Sequence, residues 1–331
     1  MMDRRAFIGR LALATLTVPH AAQAQPARKV YRIGLLGAGQ TSDMVGPQPR
    51  SAFISALLHG LRDLGYAYGE HFVTEARGAE SKPARLPGLA AELVRLQVDV
   101  IVAGQPALSA LKQATSTIPI VMGGAGDPVG QGFIQNLARP GSNFTGMSLQ
   151  TVDTTGKRLE ILKELVPGAA PVAFFWDPRM NPQYWQAAEA AARERGWKLL
   201  SLEIRDAGEI ERAFKTATDA RVGALLVGGS AAYDSHARRI ADLVAKNRLP
   251  AMYSVRFYVD AGGLMSYSAD LIEIYRRAAV FVDKIFKGAK PADLPIEQPT
   301  KFELVINLKA AKAIGLTIPQ SILLRADEVI Q

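Results

Sequence analysis

Residues 98–107 read Val98-Asp99-Val100-Ile101-Val102-Ala103-Gly104-Gln105-Pro106-Ala107, and the fold follows from that stretch. Five of its first six side chains are apolar without alternating with polar ones, which marks a strand covered on both faces. Gly104 ends the run, and Pro106 suits the first position of a helix, where no backbone N–H is needed. The same beat recurs outward. Residues 30–36 predict a strand, 51–64 a helix closed by Gly65, and 118–122 a further strand. Later strands are expected at 172–176, 199–204, 224–227 and 251–253, separated by helical stretches. Short apolar strands alternating with amphipathic helices build doubly wound parallel sheets, so the expected class is α/β.

Several helix ends are legible. Asp153 is the expected cap of a helix whose Leu159, Leu162, Leu165 and Val166 share a face, with Gly168 beyond it. Leu271, Ile274, Tyr275, Ala278, Val282, Ile285 and Phe286 recur every three or four residues. Asp270 fits as that helix's N-cap, Gly288 as the residue past its end, and Pro291 prevents continuation. About 300 residues suggest two such lobes. A break falls near Pro140-Gly141-Ser142-Asn143, which leads into Phe144-Thr145-Gly146-Met147-Ser148. Residues 262–268 (GGLMSYS) and 301–308 (KFELVINL) also fit neither sheet's beat. These three stretches are expected to carry the chain between the lobes.

The N-terminus predicts export. Asp3-Arg4-Arg5-Ala6-Phe7 precedes a short apolar run over 11–18 and an Ala22-Gln23-Ala24 end, the pattern of a signal peptide cut after Ala24. The paired arginines also fit a twin-arginine signal, and the run is too short to span a bilayer. Without the leader, 307 of the 331 residues remain. The chain has no cysteine, which excludes disulfides and a lipid-anchored N-terminus. The net charge of +8 becomes +6 once Arg4, Arg5, Arg10 and Asp3 are gone. Its basic residues are scattered rather than gathered in a stripe, so nucleic acid is not an expected partner. Beyond the leader nothing is long and apolar enough to insert in a membrane.

In open parallel sheets, ligands sit beyond the carboxyl ends of the strands. Four such ends are marked here. Gly104-Gln105-Pro106-Ala107 is expected to offer the Ala107 and Leu108 amides to a carboxylate. Gly123-Gly124-Ala125-Gly126-Asp127-Pro128 allows close backbone approach at Gly124 and offers Asp127 to an ammonium. Asp177-Pro178 with Asn181-Pro182, and Gly228-Gly229-Ser230, mark the other two ends, although each of the four is also a serviceable turn. Aromatic residues gather in the second half, where Tyr184, Tyr253 and Tyr267 are candidates to stack on a planar group. Core packing is the commoner fate of such rings.

Three motifs are set aside. Gly34 to Gly39 resembles a dinucleotide loop, but Ser42 stands where its third glycine belongs. Gly228-Gly229-Ser230-Ala231-Ala232 approaches a nucleophile elbow with alanine for the second glycine, and His236 is too near to be its usual partner. Asn143-Phe144-Thr145 has the form of a glycosylation site, which a bacterial-type leader makes irrelevant. The exported chain retains only His59, His71 and His236 and no cysteine, so neither metal nor cofactor is expected.

The C-terminal third carries a long signature. It comprises Gly262-Gly263-Leu264-Met265-Ser266-Tyr267, Tyr275-Arg276-Arg277-Ala278-Ala279, Ile285-Phe286-Lys287-Gly288, Lys290-Pro291-Ala292-Asp293-Leu294-Pro295 and Gln298-Pro299-Thr300-Lys301-Phe302-Glu303-Leu304-Val305-Ile306-Asn307-Leu308-Lys309. Leu324 to Ile330, Asp127-Pro128-Val129, 140–146 and the leader extend it. With these the chain resembles the bacterial ABC-transporter substrate-binding proteins that include tryptophan- and phenylalanine-binding members. The resemblance implies a periplasmic binding protein of the type I kind: two α/β lobes, three crossovers and a ligand trapped in the cleft as the lobes close. It sets the lobes at residues 28–149 with 267–295, and 150–266 with 296–331. It also implies that the ligand meets Gly39, Gln40 and Thr41 in the loop after the first strand, Gln105, Pro106 and Ala107, Asp127, the Asn181 region, Ser230 and the 253–267 region with Tyr253, Ser266 and Tyr267. To these the residue reading adds Gly124 and Tyr184. Relatives often carry a small hydroxyl residue where Gln105 stands, so the ligand of a relative does not transfer directly. The reading is therefore a periplasmic receptor, without catalysis, that delivers a small polar or amphipathic molecule such as an amino acid or aromatic acid to an ABC permease. A secreted α/β hydrolase using Ser230, or a sensory module for a membrane receptor, are the alternatives.

Overall fold

The computed structural model describes residues 29–80, 82–150, 152–179, 182–230 and 233–331. The leader and Asn181 lie outside the described residues. The first half is built from β1 (Tyr31–Gly37), α1 (Ala52–Asp63), β2 (Phe72–Gly78), α2 (Leu86–Arg95), β3 (Val100–Ala103), α3 (Ala107–Ala114), β4 (Ile120–Ala125) and β5 (Phe144–Ser148). Its sheet has the order β2-β1-β3-β4-β5, and every pair is parallel. The stretch at 98–103 explains the layering. Val100 and Val102 turn to one face, against Leu57, Leu61 and Ala278, while Ile101 and Ala103 turn to the other, against Leu89, Leu93 and Leu111. Both faces are thus covered by helices, which is why the strand shows no polar alternation.

The second half contains α4 (Thr155–Leu165), β6 (Val172–Trp176), α5 (Gln183–Glu194), β7 (Leu199–Glu203), α6 (Ile210–Asp219), β8 (Ala224–Val227), α7 (Ala237–Lys246), β9 (Ala251–Tyr253), α8 (Phe257–Asp260) and β10 (Met265–Ala269). The chain then returns as α9 (Leu271–Phe286), whose Ile274, Ala278, Phe281 and Val282 pack with α1 in the first half's core. It ends in the second half as β11 (Phe302–Asn307), α10 (Leu308–Ala313), α11 (Gln320–Leu323) and β12 (Glu328–Ile330). The second sheet runs β12-β11-β10-β9-β8-β6-β7, parallel throughout except where β10 meets β11. These are two doubly wound α/β lobes. Among the described residues no helix is long and apolar enough to cross a membrane.

Helix ends follow their chemistry. Ser51 accepts from the Ile54 amide at 3.4 Å and caps α1, and Gly65 beyond it takes φ +89. Asp270 accepts from the amides of Ile272 and Glu273 at 2.9 and 3.1 Å and caps α9, with Gly288 at φ +92 past its end. Asp153 does not cap α4: the N-cap is Thr154, with no side-chain cap bond.

The three stretches expected to cross between lobes are themselves strands. Residues 144–148 form β5, 265–269 form β10, and 302–307 form β11. The last two are strand-like in sequence, and their antiparallel pairing is why they depart from the beat of a parallel sheet. The crossings leave from their ends, and the one after β10 follows Ala269 rather than Ser266. The third runs beside β5, where Ser148 N donates to Glu297 O (2.9 Å) and Glu297 N to Gly146 O (3.0 Å). At the second and third crossings Asp270 N donates to Lys301 O (3.3 Å) and the Lys301 ammonium reaches the Asp270 carboxylate at 3.0 Å.

Candidate functional site

A cleft of about 640 Å³ opens between the two halves, at the carboxyl ends of the first sheet's strands. From the first half it is lined by the loop after β1, the head of α1, the turns after β3 and β4, and Leu271 and Tyr275 of α9. From the second half come Gly229, Asp234, Ala237, Ser254, Val255 and Phe257. The floor is aromatic. The Tyr275 ring stacks on Phe53 with centroids 5.4 Å apart, and it lies directly against the turn after β3 and the C-terminal half of β4. A Cβ on Gly123 would fall 2.6 Å from Tyr275 Cζ, and one on Gly104 2.8 Å from its hydroxyl. Those glycines are what lets α9 press a ring against the strand ends. Burial there pushes the Tyr275 phenol up to about 12, so it stays neutral.

The opposite wall is polar. The Asp234 carboxylate accepts at Oδ1 from the Ser230 amide (3.0 Å) and the Tyr258 hydroxyl (2.7 Å). Burial pushes that carboxyl up to about 7 against the bonds that favour its charge. The phenols facing it, Tyr233, Tyr258 and Tyr184, are all raised by burial and neutral. Behind Ser230 sits Asp177, which burial would raise but which Arg179 and the Ser230 hydroxyl hold below the usual carboxylate range. His236 points to an outer groove shared with Glu211 and Arg238. Across the cleft Asp43 is paired with Arg50 at 2.7 Å.

A family model described as ABC transporter substrate binding protein matches residues 43–330. The chain belongs to this family. The substrate-binding protein is 24% identical over 271 residues to a tyrosine-binding protein of Clostridioides difficile (strain R20291), covering 81% of this chain and 76% of that one. Its fold is that of the ABC domain in complex with L-Trp from Streptococcus pneumonia (TM-score 0.80, 24% identity, 91% of this chain and all of that one). A conserved domain protein from Vibrio cholerae is equally similar (TM-score 0.79, 24% identity, the same coverage).

Of the residues expected to bind, Gly39, Gln40, Gln105, Pro106 and Gly124 line this substrate-binding protein's cleft. Thr41 instead holds its loop, accepting at Oγ1 from Gly78 N (2.8 Å). Ala107 is buried, and its amide donates to Gly104 O at 3.0 Å, so it is not free for a carboxylate; Pro106 is the N-cap of α3 rather than its first residue. Asp127 lies off the cleft lining, and its Oδ1 accepts from the Gly130 amide (2.9 Å). Tyr184 is in the second half's core, edge-on to Phe174; Tyr253 stacks on Tyr258 and Tyr267 on Phe302. Ser266 is buried in β10. Strand alternation explains the placements on β9 and β10, because side chains there enter the layers above and below the sheet rather than its end, while Tyr184 lies on the buried face of α5. Ser230 donates to Asp177 Oδ2 (2.8 Å), a carboxylate where a nucleophile would need a base of the histidine kind, which argues against the hydrolase.

Sequence reading missed Phe53, Tyr275 and Asp234, while Ser254 and Phe257 fall in the 253–267 region expected to line the cleft. Tyr275 was counted in the apolar stripe of α9, and the glycines after β3 and in β4 were the available hint that something presses on them. Asp234 carried no signal, since its exposure to the cleft depends on how the chain turns after Ser230.

Proposed function

We propose that this chain is the extracytoplasmic receptor of an ABC importer and that its cargo is an amino acid with an aromatic side chain. The observation that carries this is the contrast across one cleft: an aromatic floor of Phe53 and Tyr275, with Phe257 opposite, facing a polar wall at Asp234 and Ser254. The ring of the cargo would lie on Phe53 and Tyr275, where offset or edge-on stacking adds to burial. Its carboxylate would meet the head of α1, where Ala52 and Phe53 line the cleft and the first helical amides lack intrahelical partners. Gly39, Gln40, Gln105, Pro106 and Gly124 complete the enclosure. Relatives named for tyrosine and solved with L-Trp support this class of cargo.

The cargo would leave chemically unchanged. It touches both halves only when they are closed, so its binding energy favours the closed arrangement over the open one. The halves would turn about the three crossings after β5, after β10 and before β11. A permease in the membrane would then take the cargo from the closed form, the receptor having been exported to the periplasm behind the leader of residues 1–24. A thermal-shift screen of the proteinogenic amino acids, aromatic acids and sugars tests this reading. Tyrosine, tryptophan or phenylalanine at a hundredfold its Kd adds about 2.7 kcal/mol, a rise on the order of 5 °C. A protein stabilised by sugars alone would contradict it.

A further inference from the structure

Ser254 is 3% exposed and lines the cleft, and its hydroxyl makes no hydrogen bond of good geometry, its one neighbour of that kind being the Tyr184 hydroxyl. A buried hydroxyl left unbonded costs free energy, which a ligand atom can recover. Beside it the loop after β8 is bare at Gly229. The point where a Cβ on Gly229 would sit lies 3.2 Å from Ser254 Oγ and 3.8 Å from Asp234 Oδ2. Asp234 is fixed through Oδ1 by the Ser230 amide and the Tyr258 hydroxyl, and its Oδ2 carries no bond among the described residues. Two oxygens therefore converge on a space that the glycine keeps empty.

Charge narrows what fits there. Among the described residues no lysine, arginine or histidine lines the cleft, and of its two aspartates Asp43 already has Arg50. Asp234 is the uncompensated acid. A carboxylate or phosphate would be repelled, and a neutral hydroxyl would leave the charge unmatched. We propose that Asp234, Ser254 and the bare backbone at Gly229 form the seat of a primary ammonium group on the cargo. The compact, three-donor ammonium can bond Asp234 Oδ2 and Ser254 Oγ at once. Ser254, accepting from it, keeps its own proton to offer to the neighbouring Tyr184 hydroxyl.

The inference rests on the reading of this cleft as the cargo site, and calorimetry separates the two. Aromatic amino acids are titrated into the protein alongside their deaminated acids and decarboxylated amines, with simple alkyl diamines as a further set. Loss of the amine should weaken binding by about a hundredfold, as for a buried charge losing its partner. Asp234→Asn should do the same to the amino acids and leave the deaminated acids unaffected. Because Asp234 also holds the Ser230 loop, Gly229→Ala and Ser254→Ala provide variants that leave its bonds to the Ser230 amide and the Tyr258 hydroxyl in place. Gly229→Ala should cost about tenfold or more with the cargo-free Tm unchanged, and Ser254→Ala about tenfold. Deaminated aromatic acids that bind as tightly as their parents would overturn the seat while leaving the aromatic cargo standing. Alkyl diamines that bind where aromatic amino acids do not would keep the seat and overturn the aromatic cargo. A protein that binds no amine of the set, or is indifferent to all three substitutions, overturns the seat.

Discussion

The two walls of the cleft are built on opposite principles. The first half presents rings against bare glycines, with Tyr275 reaching the strand ends because Gly104 and Gly123 have no side chains, and Phe53 stacked on it. The second half presents a carboxyl and a hydroxyl held among buried phenols, with Gly229 leaving room in front of them. One wall offers area, which binds without direction; the other offers two oxygens, which fix orientation. A cargo with one planar apolar end and one charged end satisfies both, and neither wall alone distinguishes it from simpler molecules.

That contrast can be broken first on the aromatic side. Tyr275→Ala should lose about 2–3 kcal/mol of cargo affinity and a comparable amount of stability, read by calorimetry and thermal melting, because it removes a buried ring from both. Next in size is the glycine that admits it. Gly123→Ala forces a Cβ to 2.6 Å from the ring and should destabilise by about 1–3 kcal/mol. In the Tyr275→Ala background the same change should cost little, and a double-mutant cycle showing no coupling would refute the steric account.

The polar wall is sharpened by pH. The Asp234 carboxyl sits near 7 in the folded chain against an ordinary value of 3.8, so between those limits the folded form keeps a proton that the unfolded form has lost. The stability of the cargo-free protein should therefore fall as pH rises from about 4 to about 7, and Asp234→Asn should flatten that slope in thermal melts. Binding of an ammonium runs the other way, tightening by at most about tenfold per pH unit up to about 7. The smallest effect is expected far from either wall. The bidentate Arg277–Glu297 pair beside the crossings is exposed on both sides, and Glu297→Gln should change Tm by less than about 1 kcal/mol's worth.

How much of this was legible depends on the range over which each signal acts. The strand at 98–103, the cap Asp270 and the terminal Gly65 and Gly288 are local, and the sequence carried them in their own neighbourhood. Strand β2 (FVTEARG) is mixed in polarity because it is the edge of its sheet, so a pattern of continuous apolar runs passes over it. The β10 and β11 stretches are strand-like but break the parallel beat because they pair antiparallel. For the site, Gly39 and Gln40 came from the family resemblance, while loops at strand ends were foreseeable as a class, and Gln105, Pro106 and Gly124 were reached that way. The rings were not, because Tyr275 comes from a helix that returns to the first half after the chain has built most of the second. Asp127 looked suited to an ammonium by residue type alone, but lies off the cleft lining, while Asp234, four residues beyond Ser230, faces the cleft.

The absence of cysteine makes the central claim measurable across the cleft. Gln48→Cys on the first half and Asp260→Cys on the second are exposed positions that take a donor–acceptor pair. With saturating tyrosine or tryptophan the distance between the labels should collapse to one shorter value, and it should stay at the cargo-free value with the corresponding deaminated acid. A distance that does not move while the amino acid is bound would contradict a cargo held between two unlike walls.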